Sequence, residues 1–94
     1  MQRITEKDLK ECVSITNRLT GMAQDPYYRD EQGDFKTNPG TYVLDSAYGG
    51  HKLCRMSMTP DRTGQSDISR TGYVSKRELY NWLCAFIAGL EVKP

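Results

Sequence analysis

The chain has 94 residues, enough for one domain spanning residues 1–94 and burying roughly 60–65% of its unfolded surface around a single core. Its 37% hydrophobic and 27% charged residues exclude a disordered chain, and no apolar run approaches the ~20 residues of a membrane span. The net charge of +1 divides unevenly: residues 1–50 carry six basic and eight acidic groups, residues 51–94 seven and four, a weaker basic footprint than a dedicated duplex binder shows.

The opening MQRITEKDLK has no apolar signal core, so a cytoplasmic location is expected. Within it Thr5 and Asp8 form a capping box, with Ile4 and Leu9 as its hydrophobic staple. Leu9, Cys12, Val13, Thr16 and Leu19 then mark one helical face, with Lys7, Lys10, Glu11, Ser14, Asn17 and Arg18 outside it, and Gly21 supplies the stop.

From Met22 to Pro39 the chain is polar, bracketed by the turn signals Asp25-Pro26 and Asn38-Pro39-Gly40. Tyr27-Tyr28-Arg29 and Asp34-Phe35-Lys36 read as two short strands, with an ordered loop as the alternative. The acids do not continue to a bidentate Glu at the twelfth position, so an EF-hand fails.

Thr41 to Met58 is the clearest hairpin. With Tyr48-Gly49 as a two-residue loop, Leu44 faces Leu53, Asp45 faces Lys52, Val43 faces Cys54 and Tyr42 faces Arg55, each pair complementary. A Gly49-Gly50 loop would set Leu44 against Arg55 and Asp45 against Cys54, a poorer match; a wider loop stays open. Pro60 should end the second strand. Thr59 to Gly72 reads as a mobile connection with one apolar residue, Ile68.

The last element runs from Ser75 to Leu90. Ser75 and Glu78 form a second capping box, Val74 and Leu79 a staple, and Gly89 a left-handed stop on which Leu90 folds back. At about 100° per residue, Leu79, Tyr80, Trp82, Leu83, Cys84, Phe86, Ile87 and Leu90 span an arc of roughly 200°, wider than a surface helix needs. The expected fold is α+β: an antiparallel hairpin or small sheet of two to four strands packed on an N-terminal and a C-terminal helix. The surplus apolar arc at Tyr80, Trp82 and Phe86 points to a homodimer interface.

Chemistry is sparse. Cys12, Cys54 and Cys84 are odd in number and widely spaced, which reads as three buried, reduced thiols. His51 and Cys54, three apart in a strand, point to opposite faces, and there is no C-x-x-C, so no metal or cofactor is expected. Tyr48-Gly49-Gly50-His51 lacks the helix and Lys-Ser/Thr of a P-loop, and no nucleophile motif accompanies the single histidine, so the chain does not read as an enzyme.

The remaining set is polar and aromatic: Tyr27, Tyr28, Tyr42, Tyr48, His51, Arg55, Arg62, Arg70 and Arg77. Tyr and Arg dominate binding hot spots because they bury much area at low entropic cost. Tyr42, Tyr48, His51, Arg55, Arg62, Arg70 and Arg77 are therefore the candidate binding residues. They suit a protein partner first; Tyr48, His51, Arg55 and Arg77 holding a base and phosphates is the alternative, and nucleic acid through the basic half a third.

Gly40-Thr41-Tyr42-Val43-Leu44-Asp45-Ser46-Ala47-Tyr48-Gly49-Gly50, Leu53-Cys54-Arg55, Ser66-Asp67-Ile68-Ser69 and Lys76-Arg77-Glu78-Leu79-Tyr80 resemble a group of small phage and prophage open reading frames. That group shares a Tyr-x-Leu-Asp-x-Ala-Tyr-Gly-Gly strand-turn and a Lys/Thr-Arg-Glu-Leu-Tyr helix start, and the likeness covers about Pro26 to Leu90. It implies a phage product acting in the bacterial host cytoplasm, and no functional residues follow from it. The function expected is a small non-enzymatic accessory protein that binds a host protein stoichiometrically, for example to blunt a defence system.

Overall fold

The computed structural model describes residues 3–58 and 64–92. In chain order it contains α1 (Glu6–Thr20), β1 (Tyr27–Arg29), β2 (Phe35–Thr37), β3 (Tyr42–Ala47), β4 (Gly50–Met56), β5 (Gln65–Asp67) and α2 (Lys76–Glu91). Two antiparallel sheets result, β1-β2 and β3-β4-β5, so the fold is α+β.

Helix α1 begins and ends on local chemistry. The Asp8 N–H donates to Thr5 Oγ1 at 3.2 Å and the Thr5 N–H donates to Asp8 Oδ2 at 2.9 Å, closing the capping box. At the far end Gly21 has φ 75°, its N–H reaches the Arg18 carbonyl at 3.3 Å, and the Met22 N–H reaches the Asn17 carbonyl at 2.8 Å. Those two bonds make a complete Schellman ending.

The β3–β4 hairpin has the complementary register: Tyr42 opposite Arg55, Val43 opposite Cys54, Leu44 opposite Leu53, Asp45 opposite Lys52. Its loop is Tyr48 (φ 54°) and Gly49 (φ 73°), the two left-handed residues of a type I′ turn. Alternation then puts Tyr42, Leu44 and Leu53 on one face and Asp45, Lys52 and Cys54 on the other. Leu9, Cys12 and Val13 of α1 and Leu79 and Leu83 of α2 pack with Tyr42 and Leu53 as one core. Both helices therefore lie on the same face, and α2 touches α1 and β4 together.

Four expectations are corrected. Gly89 does not stop α2, which runs on to Glu91 with Val92 as its cap. Continuing the helix keeps half-buried Leu90 one turn beyond Phe86 and Ile87, where a left-handed Gly89 would turn it out of line. Asn17, assigned to the outer face of α1, is 1% exposed, whereas Leu19 is 43% exposed. The cause is tertiary: the Tyr42 N–H donates to Asn17 Oδ1 at 2.8 Å and Asn17 Nδ2 donates to the Tyr42 carbonyl at 3.0 Å. The Asn17 amide thus pairs with β3 as the peptide of a neighbouring strand would.

Third, the described part of the 59–72 connection is ordered. Gln65, Ser66 and Asp67 pair with Met56, Arg55 and Cys54, and the Leu53 N–H donates to Ser69 Oγ at 3.3 Å. Pro60 and Arg62 lie outside the described residues. Fourth, only Cys12 and Cys54 are buried; Cys84 is exposed, because it lies at the rim of the α1–α2 contact, beside Cys12 but off the buried line of Leu79 and Leu83. The two short strands form with β2 shifted one residue, to Phe35–Thr37.

Candidate functional site

The β1–β2 hairpin is an arm. Its strands pack chiefly on each other, and their burial is exposed throughout except at Thr37. Its tip is held by Asp30, whose carboxylate accepts from the Gln32 N–H at 3.0 Å and the Asp34 N–H at 2.9 Å. Its base is tied by Asn38, whose N–H donates to the Pro26 carbonyl at 2.8 Å and whose Nδ2 donates to the Asp25 carbonyl at 2.6 Å. Cross-strand pairing puts Tyr27, Arg29, Phe35 and Thr37 on one face and Tyr28 and Lys36 on the other. Tyr27, Tyr28 and Phe35 remain 51%, 47% and 68% exposed, and the Arg29 guanidinium lies 4.7 Å over the Phe35 ring. Three large aromatics on a two-stranded ribbon gain little by burial within this chain.

A second exposed aromatic marks the apex of the long hairpin. Tyr48 is 95% exposed at φ 54°, a conformation that favours Asn or Gly. It meets the Tyr73 ring edge-on at 5.6 Å. Tyr73 crosses the outer sheet face, its hydroxyl donating to Asp45 Oδ2 at 2.8 Å, while Lys52 Nζ sits 4.5 Å over its ring and 3.8 Å from Asp67. The bond to Asp45 raises the Tyr73 phenol above its ordinary range, with burial adding to it. Burial raises the Cys54 thiol, and the neighbouring Asp45 carboxylate adds to that, so this thiol is a poor nucleophile. Burial pulls Lys52 down, but Tyr73 and the carboxylates of Asp67 and Asp45 outweigh it and leave its ammonium raised. The cluster is thus bound up within itself.

The expected binding residues do not form one site. Tyr42 is 7% exposed, with Arg55 stacked 4.8 Å over its ring and donating from Nε to the Gly40 carbonyl at 2.8 Å. His51 is half-buried, 2.6 Å from Ser46 Oγ through Nδ1, and its backbone bridges to Val74. No third side chain orients this imidazole among the described residues. Tyr48 and Arg55 stand at opposite ends of the hairpin, seven residues apart. Arg70 is exposed at φ 55°, Arg77 is exposed in the first turn of α2, and Arg62 lies outside the described residues.

On α2, Trp82 stacks on Phe86 at 4.9 Å, and Phe86 meets Tyr42 edge-on at 6.0 Å. Trp82, Phe86 and Tyr80 are each half-buried. The surplus apolar arc is therefore partly taken up by Tyr42, a strand aromatic.

Sequence reasoning missed Phe35, Asp45, Lys52 and Tyr73 as surface partners. Their cross-strand spacing was readable for Asp45 and Lys52, but Tyr73 reaches them only because Val74 pairs with His51. Among the described residues no three His, Cys, Asp or Glu side chains gather as a metal site, and no helix is long and apolar enough to cross a membrane. No protein-family model, curated protein or solved structure matches the chain.

Proposed function

We propose that this is a small non-enzymatic protein that binds a protein partner stoichiometrically, using the β1–β2 arm as its principal contact. One observation carries the reading: Tyr27, Tyr28 and Phe35 are about half or more exposed on a ribbon that is held rigid at both ends. Aromatic side chains ordered in advance contribute most to association, since less freedom is lost on binding. Tyr48 supports it from the other hairpin, holding an exposed aromatic at a backbone position where Asn or Gly would be more stable. With the phage likeness of the sequence, the partner would be a protein of the bacterial host, met in its cytoplasm. The nucleotide alternative has less support, since Tyr48 and Arg55 lie far apart and Arg55 is engaged with Tyr42 and Gly40.

The test is capture from bacterial lysate by the full chain, with native mass spectrometry of what is retained. A one-to-one or two-to-two complex is expected. The Tyr28→Ala/Phe35→Ala double variant should fold with unchanged stability and retain at least tenfold less, as loss of hot-spot aromatics implies. Equal capture by that variant removes the arm from the interface.

A further inference from the structure

We propose that the open edge of β3, with the groove between it and α1, takes one extended segment of a partner protein by strand addition, a segment carrying an apolar, a basic and an acidic residue in succession. This rests on the protein-binding reading above and names a second contact for it, at the foot of the arm and distinct from its exposed aromatics.

The edge is identified by hydrogen-bond phase. β3 is the outer strand of β3-β4-β5. The Met56 N–H donates to the Thr41 carbonyl at 2.8 Å, whereas the His51 and Leu53 carbonyls accept from Val74 and Ile68 on the far side of β4. With residues 41 and 56 bonded, the register puts the backbone bonds of the β3–β4 pair at Val43, Asp45 and Ala47. The N–H and C=O groups of Tyr42, Leu44 and Ser46 therefore point away from the sheet. Asn17 occupies those of Tyr42 through both atoms of its amide. Those of Leu44 and Ser46 meet no partner among the described residues. Natural edges are usually blunted by charged side chains, Pro, a bulge or a covering helix; β3 has no Lys, Pro or bulge, its one charge is Asp45, and α1 bonds to it at Tyr42.

The groove beside this edge has a volume of about 300 Å³ and is walled by Lys10, Val13, Ser14 and Asn17 of α1 against Tyr42, Val43 and Leu44, with Gln24, whose Nε2 donates to the Ser14 carbonyl at 2.9 Å, and Pro26 at the foot of the arm completing the wall. A strand added here would turn the residue opposite Leu44 toward Val13, a place for an apolar side chain. Its neighbour, opposite Asp45, would face outward with its Cβ about 5 Å from that of Asp45, a place for Lys or Arg. All the hydrogen bonds Asp45 accepts from Tyr73, Gln65 and Cys54 use Oδ2. The next residue, opposite Ser46, would return to the α1 side, where Lys10 stands two turns from Asn17 and favours an acid.

The same charges exclude a second copy as the occupant. Pairing two β3 edges through Leu44 and Ser46 about a two-fold axis sets Asp45 directly opposite Asp45, a destabilising like-charge pair. Any other axis needs Tyr42, whose groups Asn17 holds, or Tyr48, which lies in the turn.

The experiment probes the full chain with an array of unrelated ten-residue peptides, then takes the strongest as ligand for amide exchange. Enriched peptides should carry the apolar, basic, acidic succession, read in either direction. Saturating peptide should slow exchange of the Leu44 and Ser46 amides at least tenfold and leave those of Val43 and Asp45 unchanged. Ser46→Pro removes an edge N–H and should weaken binding at least tenfold, whereas Ser46→Ala should change it less than twofold. Ser14→Arg fills the groove from the exposed side of α1 and should abolish binding without touching the strand. Phe35→Ala, on the arm, should leave peptide affinity unchanged, so loss of lysate capture with intact peptide binding separates failure of the arm from failure of the edge. Absence of saturable binding in the array, protection of other amides, or wild-type affinity in both Ser46→Pro and Ser14→Arg overturns the proposal. Protection of Leu44 and Ser46 that grows with protein concentration alone would assign the edge to a second copy and also overturn it.

Discussion

Asn17 shows how one side chain joins the two layers. Its amide satisfies the N–H and the carbonyl of Tyr42 at the sheet edge, from a position that is itself buried. Asn17→Leu should destabilise by about 2–6 kcal/mol, because two buried backbone groups lose their partners at roughly 1–3 kcal/mol each. Urea unfolding measures this directly; a change under about 0.5 kcal/mol would mean that water replaces the amide at no cost. The thiols behave differently again. Burial raises Cys12, with Cys84 beside it adding to the shift, and Cys54 is raised in its own buried site, while Cys84 is exposed. A thiol reagent at pH 7.5 should modify one cysteine quickly in the native chain and all three only in denaturant, with peptide mapping locating the fast one at residue 84. Three fast reactions would contradict the burial.

At the level of elements, the two helices end by different means. Gly21 is left-handed with open space around it, so Gly21→Ala meets no clash but strains the backbone, and should cost about 1 kcal/mol. Gly89 is helical and equally open, so Gly89→Ala should instead stabilise, by up to about 1 kcal/mol. Thermal melts of the pair give opposite signs if α2 runs through residue 89, and the same sign if it stops there. The N-termini differ as well. Thr5 and Asp8 close a reciprocal box, although Asp is a weaker match than Glu at that position; the box expected at Ser75 and Glu78 does not close, since the Glu78 carboxylate accepts from the Ser75 hydroxyl at 3.4 Å instead of from its N–H. At both starts the cap accepts from the third helical N–H.

For the whole molecule, one core is shared by α1, α2 and a single face of the three-stranded sheet, and the arm stands outside it. The chain measures 49 × 38 × 21 Å with a radius of gyration of 14.0 Å, against about 12 Å for a compact chain of this length. Such a flat body presents much of itself to partners. A homodimer through Tyr80, Trp82 and Phe86 is an expectation that light scattering decides. Mass of two chains at tens of micromolar, falling to one in Trp82→Ala, supports it; one chain at every concentration ends it. That interface would leave the β3 edge free.

What the sequence determined by itself is what short-range physics controls. Capping residues set both helix starts, Gly21 set one end, and cross-strand complementarity chose the hairpin register from Tyr42 to Lys52. Each depends on residues close in the chain, or on a partner strand joined by a two-residue turn. Tertiary structure decided the rest. Asn17 is buried because an edge strand arrives beside it, Gly89 stays helical because Leu90 keeps its place in the stripe, and Gln65–Asp67 becomes a strand because β4 offers it a ladder. The binding residues expected from composition were dispersed for the same reason. Tyr42 and Arg55 were drawn into packing, while the exposed aromatics fell to β1, β2 and the Tyr48 turn. Residue type shows which side chains are able to bind; only the packed chain decides which of them are left at the surface.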